Sequence, residues 1–149
     1  MQTEMTIIEE IRSAWGWSGL MPDEIAGQND FGNLLVRDIE GVYWRICPEE
    51  LCCEVIAKNG VQLDELSNDQ EFLQDWYMRS LVEMARSKLG PLPDGRKYCL
   101  KIPSMLGGQY NEGNLGTISL AELIRSSGYL ASETKDLPDG AKMQLNVAD

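Results

Sequence analysis

A run of strand formers over Asn33–Arg37 and an alternation of side chains over Val42–Cys47 place a β-hairpin at the centre of the chain. In the second run, Val42, Trp44 and Ile46 fall on one face, and Tyr43, Arg45 and Cys47 on the other. Asp38-Ile39-Glu40-Gly41 between them has Asp at the first position and Gly at the fourth, the preference of a type I turn. Pro48 lacks a backbone donor and ends the second strand. Cys52–Ala57 predicts a third strand after the connector Glu49-Glu50-Leu51. Asn59-Gly60 then reads as a hairpin turn leading to a short strand at Val61 and Leu63.

Helical spacing surrounds this meander. Ile7, Ile8, Ile11, Ala14 and Trp15 recur every three or four residues, which predicts a helix over Thr6–Trp15, capped by Thr3 or Thr6 and stopped at Gly16. Trp15 and Trp17 form an aromatic corner against the hairpin. Pro22–Ala26 reads as one helical turn, with Pro first and acids beside the positive end. A long helix is predicted from a cap at Asn68 to Lys88, with Leu73, Trp76, Tyr77, Leu81 and Met84 facing the sheet and Gly90-Pro91 beyond its end. Leu-Pro-Asp-Gly occurs at 92–95 and again at 137–140, each time before a strand candidate, Lys97–Ile102 and Ala141–Val147. Ser119-Leu120-Ala121-Glu122 is a capping box for a helix that ends near Gly128 and resumes, after a break, over Leu130–Lys135. Pro103–Asn114 reads as a surface loop; its glycines lack the spacing and the Lys-Ser or Lys-Thr of a phosphate loop. The fold class expected is α+β, a largely antiparallel sheet meander with helices packed on it, in a single domain spanning 1–149.

Charge sharpens this picture. Residues 1–75 carry sixteen acids and four bases, residues 76–149 eight acids and nine bases, and the net charge is −11. An acidic half beside a near-neutral half repels nucleic acid and membrane surfaces and attracts a basic partner. No apolar run approaches a membrane span, and the N-terminal stretch has acids where a signal peptide needs bases, so a cytoplasmic protein is expected.

Candidate chemistry is sparse. There is no His, no CxxC, no nucleophile elbow and no dinucleotide fingerprint, so no catalytic residue, metal ligand or cofactor is assigned and an enzyme is not expected. Cys47, Cys52, Cys53 and Cys99 are expected as reduced structural thiols.

Three stretches, FGN at 31–33, YWRICPEEL at 43–51 and YCLKIPSMLGGQYNEGNLGTISLAELI at 98–124, resemble a family of bacterial immunity proteins. Members of that family protect a cell from DNA-degrading toxins delivered by the type VI secretion system. The resemblance runs with interruptions from about Trp15 to Val147. It implies that this chain binds a cognate nuclease toxin domain, one to one, by protein–protein contact. An acidic surface suits that task, because a DNase must be basic where DNA phosphates lie. The candidate partner-binding carboxylates are Asp38 and Glu40 at the hairpin tip, Glu49 and Glu50 in the connector, and Asp64 and Glu65 before the long helix, all read as turn or loop positions. Asp64–Asp75 and Gln109–Asn114 are alternative determinants of partner choice. The competing reading is a non-catalytic adaptor for some other basic protein.

Overall fold

Four strands pair in simple sequence order, β1 (Pro22–Gln28), β2 (Leu34–Asp38), β3 (Tyr43–Cys47) and β4 (Cys52–Ala57), all antiparallel, in a computed structural model that describes residues 3–136. The expected hairpin is β2–β3, with Leu34 opposite Ile46 and Val36 opposite Trp44. Leu34, Val36 and Ile46 are fully buried on the inner face of the sheet. There they meet Ile7, Ile11 and Trp15 of α1 (Glu4–Trp15) and Leu120, Ala121, Ile124 and Ala131 of α5 (Leu120–Thr134). Each Leu, Ile or Val among them contributes roughly 1.5–3 kcal/mol when it leaves water completely.

The first departure from expectation is β1. Pro22–Ala26 is a strand and not a helical turn: Pro22 sits opposite Asp38 and Ile25 opposite Val36, with irregularities between Pro22 and Glu24 and between Ile25 and Gly27. Pairing with a strongly specified neighbour outweighs the local helix signal, and an edge strand tolerates Pro at its first residue. Asn59-Gly60 is the second departure. Asn59 is extended and its side chain accepts the Gln62 N–H at 2.9 Å, so it caps α2 (Gly60–Ser67) where a fourth hairpin strand was expected. Asn59→Ala should lower the unfolding free energy by about 1 kcal/mol in urea titration, the usual loss for a removed cap; no change would mean that α2 needs no cap.

The expected long helix is two. Asp69, and not Asn68, caps α3 (Gln70–Tyr77), and Met78 then takes a left-handed conformation (φ +48°) before α4 (Arg79–Leu89). Buried Asn29 compensates the break, since its amide donates to the Trp76 carbonyl at 2.7 Å. The change of direction lets one stretch of chain serve two sheets. Trp76 of α3 lies on the outer face of the meander, beneath the Arg45 guanidinium at 5.2 Å and against Gly27. Ala85 of α4 packs instead on a second core with Phe31, Tyr98, Leu100 and Leu115.

That second core belongs to a two-stranded antiparallel sheet, β5 (Arg96–Leu100) and β6 (Leu115–Ser119). The sequence reading expected β5 with slightly later bounds and placed no strand at β6. Ser119 caps α5 as predicted, accepting the Glu122 N–H at 3.2 Å. Helix α5 runs unbroken through Gly128, against the expected stop. A Cβ at Gly128 would stand 2.5 Å from the Ala14 carbonyl oxygen, so this glycine marks the close crossing of α1 and α5. The second Leu-Pro-Asp-Gly and the strand expected over Ala141–Val147 lie outside the described residues. The α+β class, with helices packed on antiparallel sheets, is the architecture found. Among the described residues no helix is long and apolar enough to cross a membrane.

Candidate partner-binding site

Pro48 ends β3 and starts a tight turn over Pro48–Glu50, closed by Leu51 in a left-handed conformation. That turn sends two adjacent carboxylates in opposite directions. Glu49 points inward and is buried, with both of its oxygens accepting from the Asn33 amide at 3.0 and 2.9 Å and Oε1 accepting from the Cys47 thiol at 3.1 Å. The Asn33 oxygen in turn accepts from Arg45 Nε at 3.1 Å and Nη2 at 2.9 Å, and Arg45 Nη1 pairs with Asp75 on α3. The result is a continuous relay, Asp75–Arg45–Asn33–Glu49, from an exposed carboxylate to a buried one. Burial pushes the Glu49 carboxyl above the usual carboxylate range, against the opposing pull of Asn33, Cys47 and Arg45.

Glu50 points outward and accepts from the hydroxyls of Ser104, at 2.6 Å, and Tyr110. Burial and this carboxylate push the Tyr110 hydroxyl up, so it remains a donor. Glu49, Glu50, Glu54 and Asp75 line one cleft of about 330 Å³, with Arg45 and Tyr110 among its other walls. The exposed carboxylates of Glu50, Glu54 and Asp75 outnumber the single Arg45 guanidinium and make a negative concavity suited to a basic side chain. A larger groove of about 520 Å³ lies between α5 and the β5–β6 sheet, lined mostly by apolar surface that includes Ile118, Leu123 and Leu130. Glu49 borders both concavities.

The other expected site residues are scattered. Asp38 is a buried brace of the hairpin: its oxygens accept from the backbone N–H groups of Glu40 (2.8 Å) and Val42 (2.9 Å) and from the Trp44 indole (2.9 Å). Burial alone would raise its carboxyl, but the hydrogen bonds from Trp44, Val42, Glu40 and Gly41 outweigh burial and hold it below the usual range. Glu40 is exposed at the hairpin tip, at the opposite end of β3 from Glu49 and Glu50. Asp64 and Glu65 are exposed too, but they stand on α2 and not in a loop. Expecting all six carboxylates in reachable turns was therefore incorrect for Asp38 and Glu49, whose oxygens are taken up by internal hydrogen bonds, and for Asp64 and Glu65, which stand on a helix. Glu54 was missed, although its place opposite Arg45 follows from the β3–β4 pairing.

Among the described residues no cluster of His, Cys, Asp or Glu is arranged to hold a metal ion. The four cysteines are free and partly buried, and burial pushes every thiol up, leaving them protonated and weakly nucleophilic.

Residues 57–130, about half of the chain, match the family described as T6SS immunity protein Tdi1, C-terminal. The matched segment holds Asp75 and Tyr110, while Arg45, Glu49, Glu50 and Glu54 precede it, so the cleft joins the matched segment to the meander. No curated protein matches the chain.

Proposed function

We propose, from the premise that the family match marks this chain as a type VI secretion immunity protein, that it binds and neutralises a cognate DNase toxin. The match is the observation that carries this reading, and the charge distribution gives it a physical form. A DNase groove is lined with cations that hold phosphates. An acidic protein seated over that groove supplies carboxylates in their place, excludes DNA and is drawn in rapidly by the opposite field. Exposed carboxylates are plentiful on the first half of the chain, at Glu40, Glu50, Glu54, Asp64, Glu65 and Asp75. The complex is one to one and forms in the cytoplasm, where the DNA to be protected lies. In this reading Asp38 and Glu49 act from beneath the surface: Asp38 shapes the hairpin tip, and Glu49 holds Asn33 and the cleft floor.

Co-expression with the toxin domain encoded beside this chain should yield a complex that co-elutes on gel filtration and no longer linearises plasmid. Separate elution with undiminished cleavage would remove the immunity assignment. A stable complex that still cleaves would retain binding and reject occlusion of the active site.

A further inference from the structure

We propose that the loop between β5 and β6 is the surface with which this chain grips its toxin. Ile102, Met105 and Tyr110 are its apolar anchors, and the neighbouring acidic cleft seats a basic side chain of the same partner. The proposal rests on the immunity reading and adds where the contact is made.

The loop is closed and braced. Lys101 N–H donates to the Asn114 carbonyl at 2.8 Å, which joins its two ends. The Asn114 side chain clamps the neck: its oxygen accepts the Ile102 N–H, and its amide donates to the carbonyls of Ile102 and Gln109, all at 2.9 Å. Inside the clamp, Gly108 lies flush against the Ile102 carbonyl, where a Cβ would stand 1.7 Å from the oxygen, so no other residue fits there. The outer turn is fixed by Leu106 and Gly108 N–H groups on the Pro103 carbonyl, both at 3.0 Å. Leu106 packs against the main core, and Ser104 and Tyr110 both converge on Glu50. Compact loops with joined ends and internal bonds of this kind are frequent functional surfaces.

What this rigid frame holds outward is apolar. Ile102 is 46% exposed, Met105 66% and Tyr110 42%. Folding gains nothing from leaving three large side chains in water on one short loop. Association gains from it, because anchors already held in place forfeit little conformational freedom when a partner covers them. The character of that partner follows from position. Tyr110 is itself a wall of the cleft that contains Glu50, Glu54 and Asp75, and Ser104, next to Met105 in the chain, also bonds Glu50, so the loop borders the negative charge directly. A complementary protein has apolar pockets beside exposed cations, as expected of a nuclease around its DNA-binding groove.

The test uses the full chain and the toxin domain encoded beside it, with affinity measured by titration calorimetry and protection by plasmid cleavage. Ile102→Asp with Met105→Asp should weaken binding about 100-fold, the size of a lost hot spot, and release cleavage while the melting temperature holds. Met5→Asp, at an equally exposed residue on α1, should stay within about threefold of the parent, as surface changes outside an interface do. Should the aspartates unfold the loop, Met105→Ser alone must still weaken binding measurably. Parental affinity in the folded loop variants, with the parent itself bound, overturns the loop assignment and leaves the immunity reading standing. A parent chain that does not bind the toxin brings down both.

Discussion

Asn33→Ala is expected to lower the unfolding free energy by about 3–5 kcal/mol, the scale on which a buried charge left without its partner destabilises a protein. Asn33 is completely buried, and one small neutral side chain there satisfies an anion and a cation together. Its amide nitrogen serves both oxygens of Glu49, and its oxygen serves two nitrogens of Arg45. Alanine removes every one of these bonds. Glu49 would remain behind with only the Cys47 thiol as a side-chain donor. Arg45 would keep Asp75 and its place over Trp76, so the damage should concentrate on the Glu49 side of the relay. Urea denaturation followed by tryptophan fluorescence measures the loss, and a change below about 1 kcal/mol, the ordinary worth of one hydrogen bond, would mean that the relay is not under the strain of burial described above.

Gly128→Ala should also destabilise, by about 1–3 kcal/mol, although alanine in a helix is normally favoured over glycine by up to about 1 kcal/mol. The added methyl would meet the Ala14 carbonyl oxygen at 2.5 Å and the Ala14 Cβ at 2.7 Å. A backbone oxygen cannot be trimmed, so trimming its neighbour with Ala14→Gly should recover only part of the loss. Thermal melts of the single and double variants decide it. A stabilised Gly128→Ala chain would show that α1 and α5 separate without cost, and the tight crossing would lose its importance.

These two positions also show what the sequence made legible. The strand formers of β2, the alternation of β3, the turn at Asp38, the strand β4 and the cap at Ser119 are written within a few residues of themselves, and each was found where local chemistry placed it. Gly128 was read as a helix end because its reason for being glycine lies on another helix, at Ala14. Met78 carries no Gly or Pro to announce a break; what compensates it is Asn29, distant in sequence. Asn59-Gly60 offers the same residues to a hairpin and to a helix cap, and only the continuation of the chain decides between them. The site followed the same rule. Charge composition located an acidic half, but Glu49 and Glu50 are indistinguishable as adjacent letters, and Pro48 with Leu51 is what turns one inward and the other outward. Quadruple reversal of Asp38, Glu40, Glu49 and Glu50 to Lys, a natural design from sequence alone, would therefore confound binding with folding. The loop variants avoid this, because they change only exposed side chains.

The meander's inner face is closed by the helix that begins the described chain and the one that ends it, for α1 and α5 share one core with Leu34, Val36 and Ile46. On a ribosome this imposes a wait. Strands β1–β4 emerge early, yet the helix that seals them is still unmade, and at bacterial synthesis rates the interval between α1 and α5 is about 5–20 s. During that time the hairpin has an uncovered apolar side, and the long sequence separation of the closing contacts slows the final step further. Protection is thus conferred late and all at once. If this chain is the immunity protein proposed above, a cell that depends on it must hold a finished stock before a toxin arrives, since a partly made chain has no sealed core on which to present its binding surface.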